Sequence, residues 1–195
     1  MDPDPPYVVI VFEYVDACMR GNPDSPAGVA DDVRNVGLVD RNPFKLIVGG
    51  SGPMREYYTN LSRKLGVIDN ISFVGYIPDE NLAEYYNGCK LFVLPSTDPT
   101  REGFGIVLLE AMACGRPVIS TKITGVAKDI ADRGAGIVVE PENTKALARA
   151  IRAILSDHNL ADAMGAAGRS LVLEKYSSEK IADTMIKIYL EAVHH

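Results

Sequence analysis

Glu102 and Glu110 stand eight positions apart in REGFGIVLLEAMACG, residues 101–115. A carboxylate accepts hydrogen bonds from two adjacent hydroxyls, such as those of a hexose or of a ribose. Glycines at 103 and 105 precede a run with the apolar character of a buried helix. If that helix starts near Gly105, Glu102 lies just outside it. The N–H groups of Phe104, Gly105 and Ile106 then lack intrahelical partners and can meet an anion. Eight residues at 1.5 Å rise put the carboxylates up to roughly 12 Å apart. That is the scale of a sugar joined through two phosphates to a ribose. Plainer readings stand beside this one. Glu102 near a helix start could simply favour the helix dipole. Glu110 lies among Val107, Leu108, Leu109, Ala111, Met112 and Ala113. It must sit on a solvated edge or be paired in a site, because an unpaired buried carboxylate neutralises. Leu109, Met112 and Ala113 are expected on the core face.

Further candidates follow other short apolar runs. FKLIVG is followed by Gly50, Ser51, Gly52 and Pro53, then by a helical pattern. Glycines allow close approach of a ligand, and a helix N-terminus with Pro53 in its first turn suits a phosphate. The same residues also make an ordinary strand-to-helix turn. They match neither the dinucleotide fingerprint nor a P-loop. ISFVG leads to Tyr76 and Ile77, which could flank a flat base or form a surface turn capped by Asp79. PVIST leads to Lys122, which could reach an anion or be merely solvated.

The elements that must position these residues are legible as two alternating sequence types. YVVIVF (7–12), FKLIVG (44–49), ISFVG (71–75), LFVLP (91–95), PVIST (117–121) and GIVVE (136–140) are short, apolar and mostly unalternated. Buried parallel strands look like this. Between them lie helical patterns: 54–65 with Met54, Tyr57, Tyr58, Leu61 and Leu65 on one stripe; 79–87 with Leu82, Tyr85 and Tyr86 inward; 104–113; and about 126–132. The expectation is an α/β, Rossmann-like, doubly wound parallel sheet of about six strands flanked by helices. After residue 141 the chain turns helical. One helix is capped by Glu142 or Asn143. A second covers 160–173. A third covers 178–193, capped by Ser177 or Ser178, with Ile181, Met185, Ile188 and Tyr189 inward. Residues 13–43 resist assignment: a loop around GNPDSPAG, then a weak helix.

The 195 residues suit one domain, residues 1–195. Hydrophobic residues are 47% and charged residues 24%, which places the chain in the globular class. A net charge of −6 with scattered basic residues gives no footprint for nucleic acid. No apolar run approaches the roughly 20 residues of a membrane span. Cys18, Cys89 and Cys114 fit neither a disulfide framework nor a metal site, so a cytoplasmic location is the expectation.

The ordered motifs LIVGGSGP, NISFVGYIPDENLAEYY, LFVLPS and EGFGIVLLEAMACGRPVIST resemble the C-terminal domain of group 1 retaining glycosyltransferases, a two-Rossmann-domain (GT-B) family. The similarity covers about residues 44–190, and the Glu-x7-Glu spacing is its most specific part. The resemblance implies that the domain binds a nucleotide sugar, such as a UDP- or GDP-hexose. Glu102 would contact the donor sugar as the catalytic carboxylate. Glu110 would hold the ribose diol. Gly103 and the N–H groups of Phe104, Gly105 and Ile106 would meet sugar and phosphate. Gly50, Ser51 and Gly52 would lie beside the phosphates, and Tyr76 and Ile77 beside the base. Neither a cofactor nor a metal is implied. The family's usual Arg/Lys pair after the first strand is represented here by Arg20 alone, with Lys122 as a further candidate. The resemblance also implies an N-terminal acceptor domain, through which membrane-surface association could run, and residues 1–195 are expected not to include it. Transfer without it is not expected. Two alternatives remain: a non-catalytic nucleotide-sugar-binding module, and a nucleotide-sugar epimerase of the same fold.

Overall fold

The short apolar runs form six parallel strands: β1 (Tyr7–Val11), β2 (Lys45–Gly49), β3 (Ile71–Gly75), β4 (Leu91–Leu94), β5 (Val118–Thr121) and β6 (Gly136–Val139). The structure, a computed structural model, describes residues 45–98, 100 and 102–193, together with the backbone of 7–11. The strands lie in the spatial order 3-2-1-4-5-6. This is the doubly wound order, in which the crossovers run to opposite faces on either side of β1 and β4. All four residues of β4 and all four of β5 are buried. Both faces of the central strands are therefore covered, which explains why LFVL and VIST do not alternate.

Successive strand residues point to opposite faces, and the core divides accordingly. Phe92 and Leu94 pack on one side with Leu108, Met112, Val118 and Ile130. Leu91 and Val93 pack on the other with Ile119, Leu147 and Ile154. Among the described residues the helices are α1 (Arg55–Lys64), α2 (Asp79–Gly88), α3 (Ile106–Ala113), α4 (Ala127–Arg133), α5 (Thr144–Ser156), α6 (His158–Leu171) and α7 (Ser178–Val193). A π turn, Val172–Tyr176, separates α6 from α7. Asn143 caps α5 by accepting from the Ala146 N–H, and Ser177 caps α7 by accepting from the Lys180 N–H. No described helix is long and apolar enough to cross a membrane.

Several expectations are corrected. Helix α1 begins at Arg55, and Pro53 and Met54 belong to the turn before it, with the Arg55 N–H on the Gly52 carbonyl at 3.2 Å. The buried residue of α1 is Ser62, whose hydroxyl donates to the Tyr58 carbonyl, while Tyr57 is exposed. Pro78 occupies the cap position of α2, and Asp79 makes no capping bond. On α3 the fully buried residues are Leu108, Ala111 and Met112; Leu109 is half-buried and packs against the same core, while Ala113 is exposed. In α7 no residue is buried, and Ile181, Met185, Ile188 and Tyr189 are 47–64% exposed. Past the π turn the helix has little of the described chain over it, so its apolar stripe stays open. Segment 13–43 lies outside the described residues.

Candidate functional site

The ends of β2 and β3 are clipped together. The Gly50 N–H donates to the Gly75 carbonyl at 2.7 Å, and both residues take the positive φ that glycine permits. The Arg55 guanidinium donates to the Phe73 carbonyl at 2.8 Å from the first turn of α1. Gly50 therefore spends its N–H on the sheet and does not offer it to an anion. Ser51 and Gly52 continue the turn.

Beyond these strand ends lies a cavity of about 570 Å³. Gly50 forms one wall, Tyr76 and Ile77 a second, and Asp79, Leu82, Ala83 and Tyr86 of α2 a third. Ile106, Val107 and Glu110 of α3, with Cys114 just past it, complete the lining. The α3 residues share one face because they recur at helical spacing, opposite Leu108, Ala111 and Met112. Glu110 is thus neither in the core nor on a free edge. Its Oε2 accepts from the Tyr86 hydroxyl at 2.8 Å. Tyr86 is 2% exposed, and its ring meets Phe92 edge-on at 5.4 Å between centroids. A buried phenol ordinarily needs a hydrogen-bond partner, and Glu110 supplies one. The cavity's described walls carry two carboxylates and neither lysine nor arginine. Such a wall suits hydroxyl donors better than phosphate. Burial pushes the Cys114 thiol above its ordinary range, and pushes the Cys89 thiol to about 12.

Glu102 reaches the site differently. The Asp98 carboxylate accepts from the Thr100 N–H at 2.8 Å and from its hydroxyl at 2.6 Å. The Asp98 carbonyl accepts from the Glu102 N–H at 3.1 Å. Glu102 is half-buried on this turn. Beyond it, the carbonyls of Gly103 and Phe104 accept from the N–H groups of Gly125 and Val126, at 3.2 and 3.3 Å. Gly105 then takes φ +86° and starts α3. Because only residues from Ile106 onward are helical, the rise of a helix over all eight residues does not measure the separation of the two glutamates. Ser120 and Thr124 share a hydrogen bond of 2.8 Å, and Thr121 donates to the Ser96 carbonyl at 2.7 Å.

The cavity gathers Gly50, Tyr76, Ile77, Ile106 and Glu110 from the sequence-derived set. Ser51, Gly52, Glu102, Gly103, Phe104 and Gly105 are not among its walls. Phe104 turns its ring onto Tyr176, 5.8 Å between centroids. Lys122 is also elsewhere, with its ammonium ion-paired to Glu140 just past β6. Arg20 lies outside the described residues. Sequence reasoning placed Tyr86 inward by its spacing from Leu82, but nothing local signals that its hydroxyl meets Glu110. It also missed Gly125, whose role is to allow the backbone of the Gly103–Phe104 segment to come close. A Cβ there would meet Phe104 Cδ2 at 2.8 Å and the Gly103 carbonyl oxygen at 3.1 Å.

The sheet order and a cavity beyond the strand ends define a Rossmann-like domain of the kind that binds ligands at that edge. The chain belongs to the glycosyl transferases of group 1, whose family model matches residues 28–171. It is 34% identical over 152 residues to an uncharacterised glycosyltransferase of Methanocaldococcus jannaschii, covering 78% of this chain and 38% of the relative. It is 34% identical over 156 residues to the N-acetyl-alpha-D-glucosaminyl L-malate synthase of Bacillus anthracis, covering 80% of this chain and 40% of that protein. A GDP-mannose-dependent alpha-(1-6)-phosphatidylinositol monomannoside mannosyltransferase of Mycolicibacterium smegmatis is 34% identical over 137 residues, 67% of this chain and 35% of the relative. Among solved structures, sucrose-phosphate synthase from Thermosynechococcus elongatus superposes with a TM-score of 0.77 at 29% identity, over 98% of this chain and 46% of that one. The chain therefore spans 35–40% of the length of these curated relatives.

Proposed function

We propose that this chain is the donor-binding part of a retaining hexosyltransferase, and that it holds a nucleoside-diphosphate hexose with Glu110 on the ribose. The observation that carries this reading is the Glu110–Tyr86 pair. One carboxylate oxygen is fixed by a core phenol, while the residue lines a cavity bordered by Tyr76 and Ile77. A carboxylate so held offers its other oxygen to a diol at little cost in side-chain entropy. Tyr76 is 70% exposed and Ile77 only 7%, so an aromatic flank and an apolar floor are available to a base. Glu102 then addresses the sugar from the loop before α3, as the catalytic carboxylate. The diphosphate would lie toward the N–H groups of Phe104, Gly105 and Ile106, which no described acceptor takes, and be neutralised without a metal. The names of the relatives agree with this donor class: one is GDP-mannose-dependent and another is an N-acetylglucosaminyl-transferring synthase. An Anabaena protein of the same fold was solved with UDP and glucose.

The acceptor site and the second wall of the cleft would belong to a further domain, and with it any contact with a membrane surface. Catalysis would take place in the cytoplasm. Isothermal titration with UDP-glucose, GDP-mannose and the free diphosphates tests the reading, with EDTA present and absent. Binding that survives EDTA, together with no hexose transfer by this chain alone, is the expected result. No affinity for any of the four ligands would sink it.

A further inference from the structure

Three segments far apart in sequence close a triangle around the Glu102 end. On the first side, Gly125 and Val126, just before and at the cap of α4, donate to the carbonyls of Gly103 and Phe104. On the second, α4 is tied to the π turn. Asp129 receives the Lys175 ammonium on both carboxylate oxygens, at 2.8 and 2.7 Å, and the Tyr176 hydroxyl on one of them. Arg133 pairs with Glu174 one turn further on. On the third side, the Phe104 ring meets the Tyr176 ring edge-on, 72° between planes. The Lys175 ammonium also lies 5.3 Å from the centre of the Tyr176 ring.

Phe104 remains 43% exposed, so this aromatic contact does not seal the core. It holds a loop. A π turn re-aims the chain where a regular helix would continue, and such turns gather at functional sites. Here it brings Lys175 and Tyr176 together onto α4, and Tyr176 onto Phe104. Burial, and then the neighbouring Asp129 carboxylate, push the Tyr176 phenol above its ordinary range, so it stays a donor.

We infer that Tyr176, backed by Asp129 and Lys175, is a positioning residue that fixes the Gly103–Phe104 backbone and thereby sets where Glu102 presents its carboxylate. It touches no ligand and acts through Phe104 and through α4. The assignment of a sugar to the Glu102 end rests on the function proposed above, whereas the mechanical part does not.

Two measurements on the same chain separate these. The first is amide hydrogen exchange without ligand. Tyr176→Ala should speed exchange at Gly125 and Val126 about tenfold or more, relative to the Ile130 amide of α4. Tyr176→Phe, which keeps the ring, should stay within about threefold of the parent. Phe104→Leu removes the ring contact from the loop side with the π turn intact, and should reproduce the alanine result. Unchanged protection at Gly125 and Val126 in both Tyr176→Ala and Phe104→Leu overturns the inference. The second measurement compares UDP-glucose with UDP. Tyr176→Ala should weaken the first about tenfold and the second no more than about threefold, because UDP lacks the sugar that Glu102 would hold. Equal weakening of both would mean general destabilisation and also overturns the inference. A parent chain that binds neither ligand refutes the donor reading, while the exchange experiment still decides the role of Tyr176.

Discussion

Glu110 stands on a regular helix and is anchored by a side chain that belongs to the core, whereas Glu102 stands on a loop held by carbonyls and a surface aromatic pair. The Glu110 end is stiff for the same reason that the sheet is stable: Tyr86 packs on Phe92 of the fully buried β4. The Glu102 end depends on long backbone bonds from the turn before α4, on an Asp98 turn and on Phe104 against Tyr176. Two residues that look equivalent in the sequence are therefore supported by different parts of the fold. They can be disturbed separately.

The largest effect is expected where anchor and ligand contact coincide. Glu110→Ala removes the carboxylate acceptor of the buried Tyr86 hydroxyl, which should cost about 1–3 kcal/mol in urea unfolding. It should also weaken UDP and UDP-glucose alike, by about 10- to 100-fold in titration calorimetry. Glu102→Gln should weaken UDP-glucose about tenfold and UDP hardly at all. If both variants affected the two ligands in the same ratio, the division of labour between the ends would be lost. Gly105→Ala comes next. It forces φ +86° on a residue with a Cβ, which would sit 2.9 Å from the Leu108 side chain. A loss of about 1–3 kcal/mol of stability is expected in urea unfolding. Tyr86→Phe should be milder, about 1 kcal/mol and roughly threefold in affinity for both ligands.

The smallest effect concerns acid. Hydrogen bonds from Lys175 and then Tyr176 hold the Asp129 carboxyl below its ordinary range. A depressed carboxylate stabilises the fold above its unfolded pKa, and this contribution is lost as pH falls through the folded one. Asp129→Asn should therefore flatten the acid limb of thermal stability, measured by calorimetry from neutral pH down through the carboxylate range, and leave the neutral limb slightly lower. An acid limb unchanged by the substitution would show that the surface pair contributes nothing, as many exposed pairs do.

The strands were the most legible part of the sequence, because a sheet buried on both faces leaves short runs without polar alternation such as LFVL and VIST. The helices between them were legible in existence and less so in facing. Helix α3 is apolar on almost every side, so its pattern could not say that Leu108 and Ala111 are fully buried, that Leu109 packs on the core only half-buried, and that Ala113 is exposed. Helix α7 shows the opposite limit. Its stripe of Ile181, Met185, Ile188 and Tyr189 signals an amphipathic helix correctly, but periodicity cannot say whether anything covers the stripe. At the site, the glutamates and the strand-end residues could be found from type and spacing. Lys122 could not be excluded locally, because Glu140 approaches it only through the pairing of β5 with β6. Tyr86, Gly125 and Tyr176 act through contacts 22 to 72 positions away in sequence, at Glu110, Gly103 and Phe104, and no local pattern encodes those.

The placing of β1 has a kinetic consequence. It comes first among the described strands, yet it lies between β2 and β4 and joins the two halves of the sheet. Its pairing with Leu91–Val93 spans most of the distance from the start of the chain to the middle of the domain. Contacts this remote form late, because the intervening loop entropy must be overcome first. Until β1 docks, β2–β3 and β4–β5–β6 would be two sheet fragments with open edges. A chain shortened by its first eleven residues should accumulate those fragments and aggregate through them.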